Sequence, residues 1–476
     1  MIPRSIVSLL GATAAICLGP LIARAAPPPL SALRVSADGH SLVAESGAPF
    51  FWQADTGWLL FQKLSDEETD FYLRTRRDQG FTAIQVMMFS WEGLAAPNLE
   101  GATPFKEITP EQLTPNPAYF DHIDRVVNRA EELGLYLVIL PTNGSYWGDT
   151  TRKKPSKPVL TPENARRFGA YLGRRYGQRH GIIWALGGDR TPVTEAEFLR
   201  QHALVDGLKA AGSKQLFTYH PGGDKSSSMA FPPSSWVDIN MCQSGHKADA
   251  SIWKLIGDDY ALAPAKPVID GECLYEDIPC PLWRAKATTP KSTPYEVRRA
   301  LYRDIFAGAF GVTYGANSVF QFHRADEPAD YFSTTTWRQG LQFPGAQQVK
   351  HLKNLMLSRR ASAPVPAPDF LISPVLEGRD RISALVAADH SYAMVYSAGG
   401  KSFEVDLKKL SGVKIHSSWF DPRTGATTTG GDFVNSGAKS FTPPASGRAE
   451  DWVLVLDDAA FAYPHPGAPH GAHLDF

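Results

Sequence analysis

The feature that most constrains this chain is a rhythm. From about residue 34 to 322, short β-rich runs alternate with longer helical runs. Phe50–Ala54, Phe81–Met88, Leu135–Leu140 and Ile182–Leu186 read as the first four strands. Leu216–Tyr219, Val237–Met241, Pro267–Asp270 and Val312–Tyr314 read as the next four. Helical stretches at 66–79, 119–133, 162–176, 195–211 and 296–309 fall between or after them. Ser65, with Glu68 three residues on, is a capping signal for the first helix. Eight such strands, each trailed by a helix or loop, fit an α/β protein built as a (β/α)8 TIM barrel over residues 30–360. A doubly wound open sheet is the structural alternative, but no GxGxxG or P-loop supports a nucleotide fold.

Beyond a helix at 346–359 the pattern changes. A Pro-rich piece, 363–368, reads as a linker. Runs near 382–386, 392–396, 403–407, 413–420 and 452–456 then follow period two, with glycine-rich turns between them. They predict a small C-terminal antiparallel β-sandwich over 366–460. The His-, Pro- and Gly-rich end, 461–476, reads as a flexible tail.

Composition narrows the function classes. The 476 residues are 43% hydrophobic and 20% charged, which excludes global disorder. The formal net charge of -1 offers no field for nucleic acid or an anionic membrane. Aromatic content of 11% suffices to fill a core and still line a groove. Residues 1–25 read as a secretory signal. Arg4 precedes a mostly apolar stretch, and Ala23-Arg24-Ala25 matches the cleavage pattern. Gly11, Gly19 and Pro20 break that stretch, which argues against a membrane anchor. The expectation is an exported protein, periplasmic or extracellular, with no membrane association after cleavage. Its oligomeric state is left open. Export permits disulfides, so Cys273 and Cys280 either pair across their short loop or stay as thiols.

In a barrel, chemistry gathers where strands end. The expected strand ends supply Asp55 and Trp58, then Trp147, then Asp189, His220, Gln243, His246, Glu272, Tyr275 and Tyr314. This mixture of carboxylates, amides, imidazoles and rings suits an oligosaccharide or polysaccharide. Asp189 and Glu272 fall on strands four and seven, whose ends face each other across the barrel mouth. Two opposed carboxylates, one protonated and one ionised, are the equipment of glycoside hydrolysis. They are the expected catalytic pair, and the other eight residues are expected to bind substrate. No cofactor or metal is needed. Two rivals stay open: a non-catalytic carbohydrate- or matrix-binding protein, and a metal-dependent hydrolase built on Asp189, His220 and His246. Neither HxH nor HExxH occurs for the latter.

Several of these pieces together resemble one family. They are Trp52-Gln53-Ala54-Asp55-Thr56-Gly57-Trp58, Gly80-Phe81-Thr82-Ala83-Ile84-Gln85 and Trp184-Ala185-Leu186-Gly187-Gly188-Asp189-Arg190, then His220-Pro221-Gly222-Gly223 and Gln243-Ser244-Gly245-His246. Gly271-Glu272-Cys273-Leu274-Tyr275-Glu276 and Gly311-Val312-Thr313-Tyr314-Gly315-Ala316 complete the set. In this order they resemble the apiosidase-like glycoside hydrolases, glycoside hydrolase family 140, also catalogued as domain of unknown function 4038. The C-terminal region resembles a module labelled collagen-binding that often follows this barrel. The resemblance implies a retaining mechanism on apiose-containing pectin side chains. It also implies Asp189 as acid/base and Glu272 as nucleophile.

Overall fold

The computed structural model describes residues 30–142 and 159–468, apart from 234, 249–250, 329, 360–362, 375 and 377. The expected signal, 1–25, lies outside the described residues, as do Trp147 and the end of the tail. Eight strands form the barrel: β1 (Trp52–Thr56), β2 (Ala83–Met87), β3 (Tyr136–Leu140), β4 (Ile182–Gly187), β5 (Phe217–His220), β6 (Asn240–Gln243), β7 (Val268–Asp270) and β8 (Gly311–Tyr314). Six pair in the order β5-β4-β3-β2-β1-β8, and β6 pairs with β7, all in parallel. A bridge between Thr218 and Ile239 joins β5 to the start of β6. On the far side, the Phe310 amide donates to the Val268 carbonyl at 3.1 Å. The ring is thereby closed.

Helices α1 (Asp66–Asp78), α2 (Pro117–Glu132), α3 (Pro162–Tyr176), α4 (Glu195–Ala210), α5 (Ile252–Tyr260), α6 (Pro294–Phe306) and α7 (Pro344–Leu357) surround it. Their starts follow capping chemistry. Ser65 and Glu68 close a reciprocal capping box on α1, and Thr194 with Glu197 does so on α4. Proline occupies the first turn of α2, α3, α6 and α7, where its missing N–H has no intrahelical role. All eight barrel strands are buried throughout, as expected of a sheet covered on both faces.

Three expectations are corrected. The sixth strand begins three residues later than the sequence suggests, at Asn240, because the Asp238 that precedes it is tied to Phe217 at the start of β5. Asp238 accepts from the Phe217 amide at 2.8 Å. The Pro-rich linker is a strand: Pro364–Pro366 pairs with Leu385–Ala387 at a sheet edge, where proline is tolerated. The start of the tail is packed. The Arg359 guanidinium lies over the Tyr463 ring, and Thr427 donates to the Pro466 carbonyl at 2.8 Å.

The C-terminal region has one sheet of six strands and one of two. The large one runs in the order 364–366, 382–387, 392–397, 452–458, 414–420, 427–434. The small one pairs Phe403–Asp406 with Ala438–Phe441. Ala393, Val395, Leu454 and Leu456 join the sandwich's own core, whereas Met394, Tyr396, Val453 and Val455 pack into the barrel's core. Alternate residues of two strands therefore serve two domains.

Candidate active site

The barrel mouth opens into a cleft of about 510 Å³. Asp189, Glu272, His220, His246, Gln243, Trp58 and Tyr275 all line it. Seven of the ten sequence-selected residues are thus brought together.

Asp189 reaches the cleft through an unusual piece of backbone. Gly187, Gly188 and Asp189 have φ of 90°, 101° and 56°, three left-handed residues in a row. A Cβ on Gly187 would lie 2.4 Å from the His220 carbonyl oxygen, so glycine is required there on both counts. The kink carries Asp189 off the end of β4, with its side chain 65% exposed. The opposite carboxylate is set from below. A Cβ on Gly271 would strike Met241 Sδ at 2.4 Å. Gln85 on β2 donates to the Gly271 carbonyl at 2.7 Å. The buried Asp270 carboxylate accepts from the Glu272 amide at 3.1 Å. Together these fix the chain that presents Glu272.

One imidazole ties the two sides. The Asp189 amide donates to His220 Nδ1 at 3.2 Å, so Nδ1 is the acceptor and the His220 proton sits on Nε2. That Nε2 faces Glu272 Oε2 at 3.4 Å. His246 Nε2 lies 3.1 Å from Glu272 Oε1. Trp58 meets the His220 ring edge-on at 5.4 Å and donates from Nε1 to the Tyr275 hydroxyl at 3.2 Å. The Tyr275 ring in turn packs 4.5 Å from His246. Both imidazoles are thereby walled in by rings.

These surroundings drive the two acids apart. Burial pushes the Glu272 carboxyl up, but the hydrogen bonds of His220 and His246 outweigh it and hold it well below the usual carboxylate range. Asp189 goes the other way. The cleft walls and then the negative charge of Glu272 raise it, against the lowering hydrogen bond that Gln243 donates at 3.0 Å. Because the Asp189 side chain is open to the cleft, the repulsion from Glu272 is the firmer of the two raising effects. An acid that holds its proton more tightly than usual therefore faces one that gives it up more readily, the divergence a glycosidase needs.

Two of the described sequence-selected residues do not line the cleft. Asp55 is buried and bonded to the Arg76 guanidinium at 2.7 Å and to the Tyr72 hydroxyl at 2.5 Å. It clasps β1 to α1 and lies away from the cleft. Tyr314 is buried and donates to Glu276 at 2.6 Å. Trp147 lies outside the described residues. Cys273 and Cys280 do not pair with each other: the Cys273 thiol donates to the Thr313 carbonyl at 2.9 Å and the Cys280 thiol to that of His246 at 3.2 Å. Among the described residues, the cluster whose ligand atoms gather closely enough for a metal is Asp66, Glu100 and His122, and Arg125 already pairs with both of its acids.

The cleft also takes in Trp91, a ring the sequence offers as a stacking platform, and Trp283, Phe320 and Tyr331, which strand-end position does not single out. Trp283 follows Glu272 on its long loop, and Phe320 and Tyr331 lie beyond β8. The adjacent aromatics Tyr331-Phe332 in an otherwise polar stretch were the available signal.

Comparison with known proteins fits this geometry. The model described as "Apiosidase-like, catalytic domain" matches residues 36–362. The chain belongs to the apiosidase-like family. A second model, "Putative collagen-binding domain of a collagenase", matches residues 365–457. A solved structure described as a glycoside hydrolase is 32% identical, covering 90% of this chain and 97% of its own, with a TM-score of 0.82. A glycoside hydrolase family 5 structure from Bacteroides vulgatus is 30% identical, covering 91% and 95%, with a TM-score of 0.83. No curated protein matches the chain. This apiosidase-like protein is a glycoside hydrolase, acting on carbohydrate.

Proposed function

We propose that the protein is an exported retaining hydrolase of plant cell-wall oligosaccharides, apiose-containing pectin side chains among them. What supports the mechanism is the pair of acids on one cleft, Glu272 held by two imidazoles and so lowered, Asp189 open to the cleft and raised. Asp189 gives its proton to the glycosidic oxygen while Glu272 attacks the anomeric carbon and forms a glycosyl ester. Asp189, now ionised, takes a proton from water. That water opens the ester and frees Glu272. His220 and His246 keep the Glu272 carboxylate ionised and aimed. Retention requires carboxyl groups about 5–5.5 Å apart, and a single imidazole bridging the Asp189 backbone and Glu272 favours that closeness. The family supports the sugar class. The basic, apolar start of the chain and Ala23-Arg24-Ala25 support export, which an N-terminus at Ala26 on the secreted enzyme would establish.

The test is product analysis on a panel of cell-wall oligosaccharides, with the first-formed anomer read by NMR. Wild type releases a sugar with the anomeric configuration of its substrate. Glu272→Gln and Asp189→Asn lose at least about 10²–10⁴-fold in turnover. Turnover by either variant at the wild-type rate, or release of the opposite anomer, defeats the mechanism.

A further inference from the structure

The loop beyond β8 holds two adjacent aromatic residues in left-handed backbone, Tyr331 with φ 53° and ψ 33° and Phe332 with φ 57°. For bulky residues this region is strained, and glycine or asparagine would occupy it more easily. Buried amides impose it. Asn317 donates to the Tyr331 carbonyl at 3.0 Å, and Gln321 donates to the Asp330 carbonyl at 3.1 Å while accepting from the Asp330 amide at 3.2 Å. The strain does not serve burial, since the Tyr331 ring stays 45% exposed on the wall of the cleft. It rests against Phe320 at 5.7 Å, which also touches Tyr275 at 5.4 Å. Its hydroxyl is held above its ordinary range by burial and by the negative charges of Asp330, Glu272 and Asp189, and Tyr331 lines the same cleft as both acids.

We propose that Tyr331 is a substrate-contacting, specificity-determining residue, whose strained loop holds its ring against the face of the sugar bound between Asp189 and Glu272. This rests on the hydrolase reading above. A sugar presents an apolar face of C–H groups, and an aromatic ring fixed beside the reacting carbon is what selects and orients such a face. A loop needed only as a turn would gain nothing from a half-exposed ring.

The experiment compares Tyr331→Gly, Tyr331→Asn and Tyr331→Phe with Phe332→Gly, which relieves equal strain outside the cleft. Melting temperature is read alone and with apiose or the cell-wall oligosaccharide panel added, and kcat/KM is measured on the panel. Tyr331→Gly and Tyr331→Asn melt at or above wild type. They lose about tenfold or more in kcat/KM, chiefly through KM, as removal of one stacked ring entails. Tyr331→Phe recovers most of that loss, and Phe332→Gly turns over as wild type does. The inference is overturned if Tyr331→Gly keeps kcat/KM within about twofold, or if it melts well below wild type and loses activity only in step with folded protein. If wild type turns nothing over but sugars raise its melting temperature, the hydrolase reading falls, and a smaller rise in Tyr331→Gly still upholds the contact. If no sugar raises it, both fall.

Discussion

At the scale of single residues, the cleft turns on two hydrogen-bond donors that act in the same direction on different acids. The Gln243 amide favours the ionised form of Asp189, and His246 favours the ionised form of Glu272. The sign of each deletion follows. Without its donor, the Asp189 carboxyl rises further, so Gln243→Leu moves the alkaline limb of kcat/KM to higher pH. Without His246, Glu272 rises too, so His246→Phe moves the acid limb to higher pH and narrows the active range. Losing one such bond costs about 1 kcal/mol, hence about fivefold in kcat/KM at the optimum for Gln243→Leu. A pH profile that keeps both limbs in place in these variants contradicts the assignment. Asp189 and Glu272 were legible in the sequence because they lie just past strand ends, where the side chain has only the cleft to enter. Asp55 and Tyr314 were not, because they lie inside strands. They pair in register, so both point away from the barrel axis into the helix layer. The strands are apolar on both faces, and no alternation reveals which parity faces inward.

At the scale of elements, that parity error has a measurable counterpart. Asp55 joins the first strand to Arg76 and Tyr72 of α1, fully buried on both sides of the ion pair. Asp55→Ala leaves the Arg76 guanidinium buried without its partner, a loss of about 3–5 kcal/mol in stability. Denaturant unfolding should show that loss, while KM measured on the folded fraction stays at the wild-type value. A raised KM with stability intact would restore Asp55 to the substrate. The other elements divide in the same way between legible and hidden. Helices such as 162–176 were plain from the sequence, since Thr161 caps and Pro162 opens the run. The strand Thr427–Val434 was hidden by Gly430-Gly431, which reads as a turn. It is instead a bulge, where the pairing with 414–420 slips between Ser417 and Ser418 and Gly431 takes φ 100°. The hairpin of 105–108 and 113–115 was hidden by its proline-rich surroundings.

At the scale of the molecule, the question is whether the sandwich is an appendage or part of the enzyme's fold. Its large sheet is covered on both faces, once by its own small sheet and once by the barrel. Tyr396 stacks on Tyr302 of α6 at 4.9 Å, and the Tyr295 hydroxyl donates to the Ala398 carbonyl at 3.0 Å. Among the described residues, two buried ion pairs are seen to cross the boundary. Arg298 of α6 holds Asp451 at 2.9 Å through Nε, and Arg359, just past α7, holds Asp457 at 2.7 and 3.0 Å. Asp451 accepts from the Tyr396 hydroxyl as well, so its carboxylate serves both domains. Pulling the sandwich away would expose an apolar face and strand two guanidinium groups. The expected consequence is one calorimetric transition for the whole chain, with glycosidase activity lost at the same midpoint. Asp451→Ala should lower that single transition by the equivalent of about 3–5 kcal/mol, since it leaves Arg298 buried and unpaired. A variant that instead melts in two steps, with the barrel active above the first, would make the sandwich a separable module, free to serve a binding role of its own.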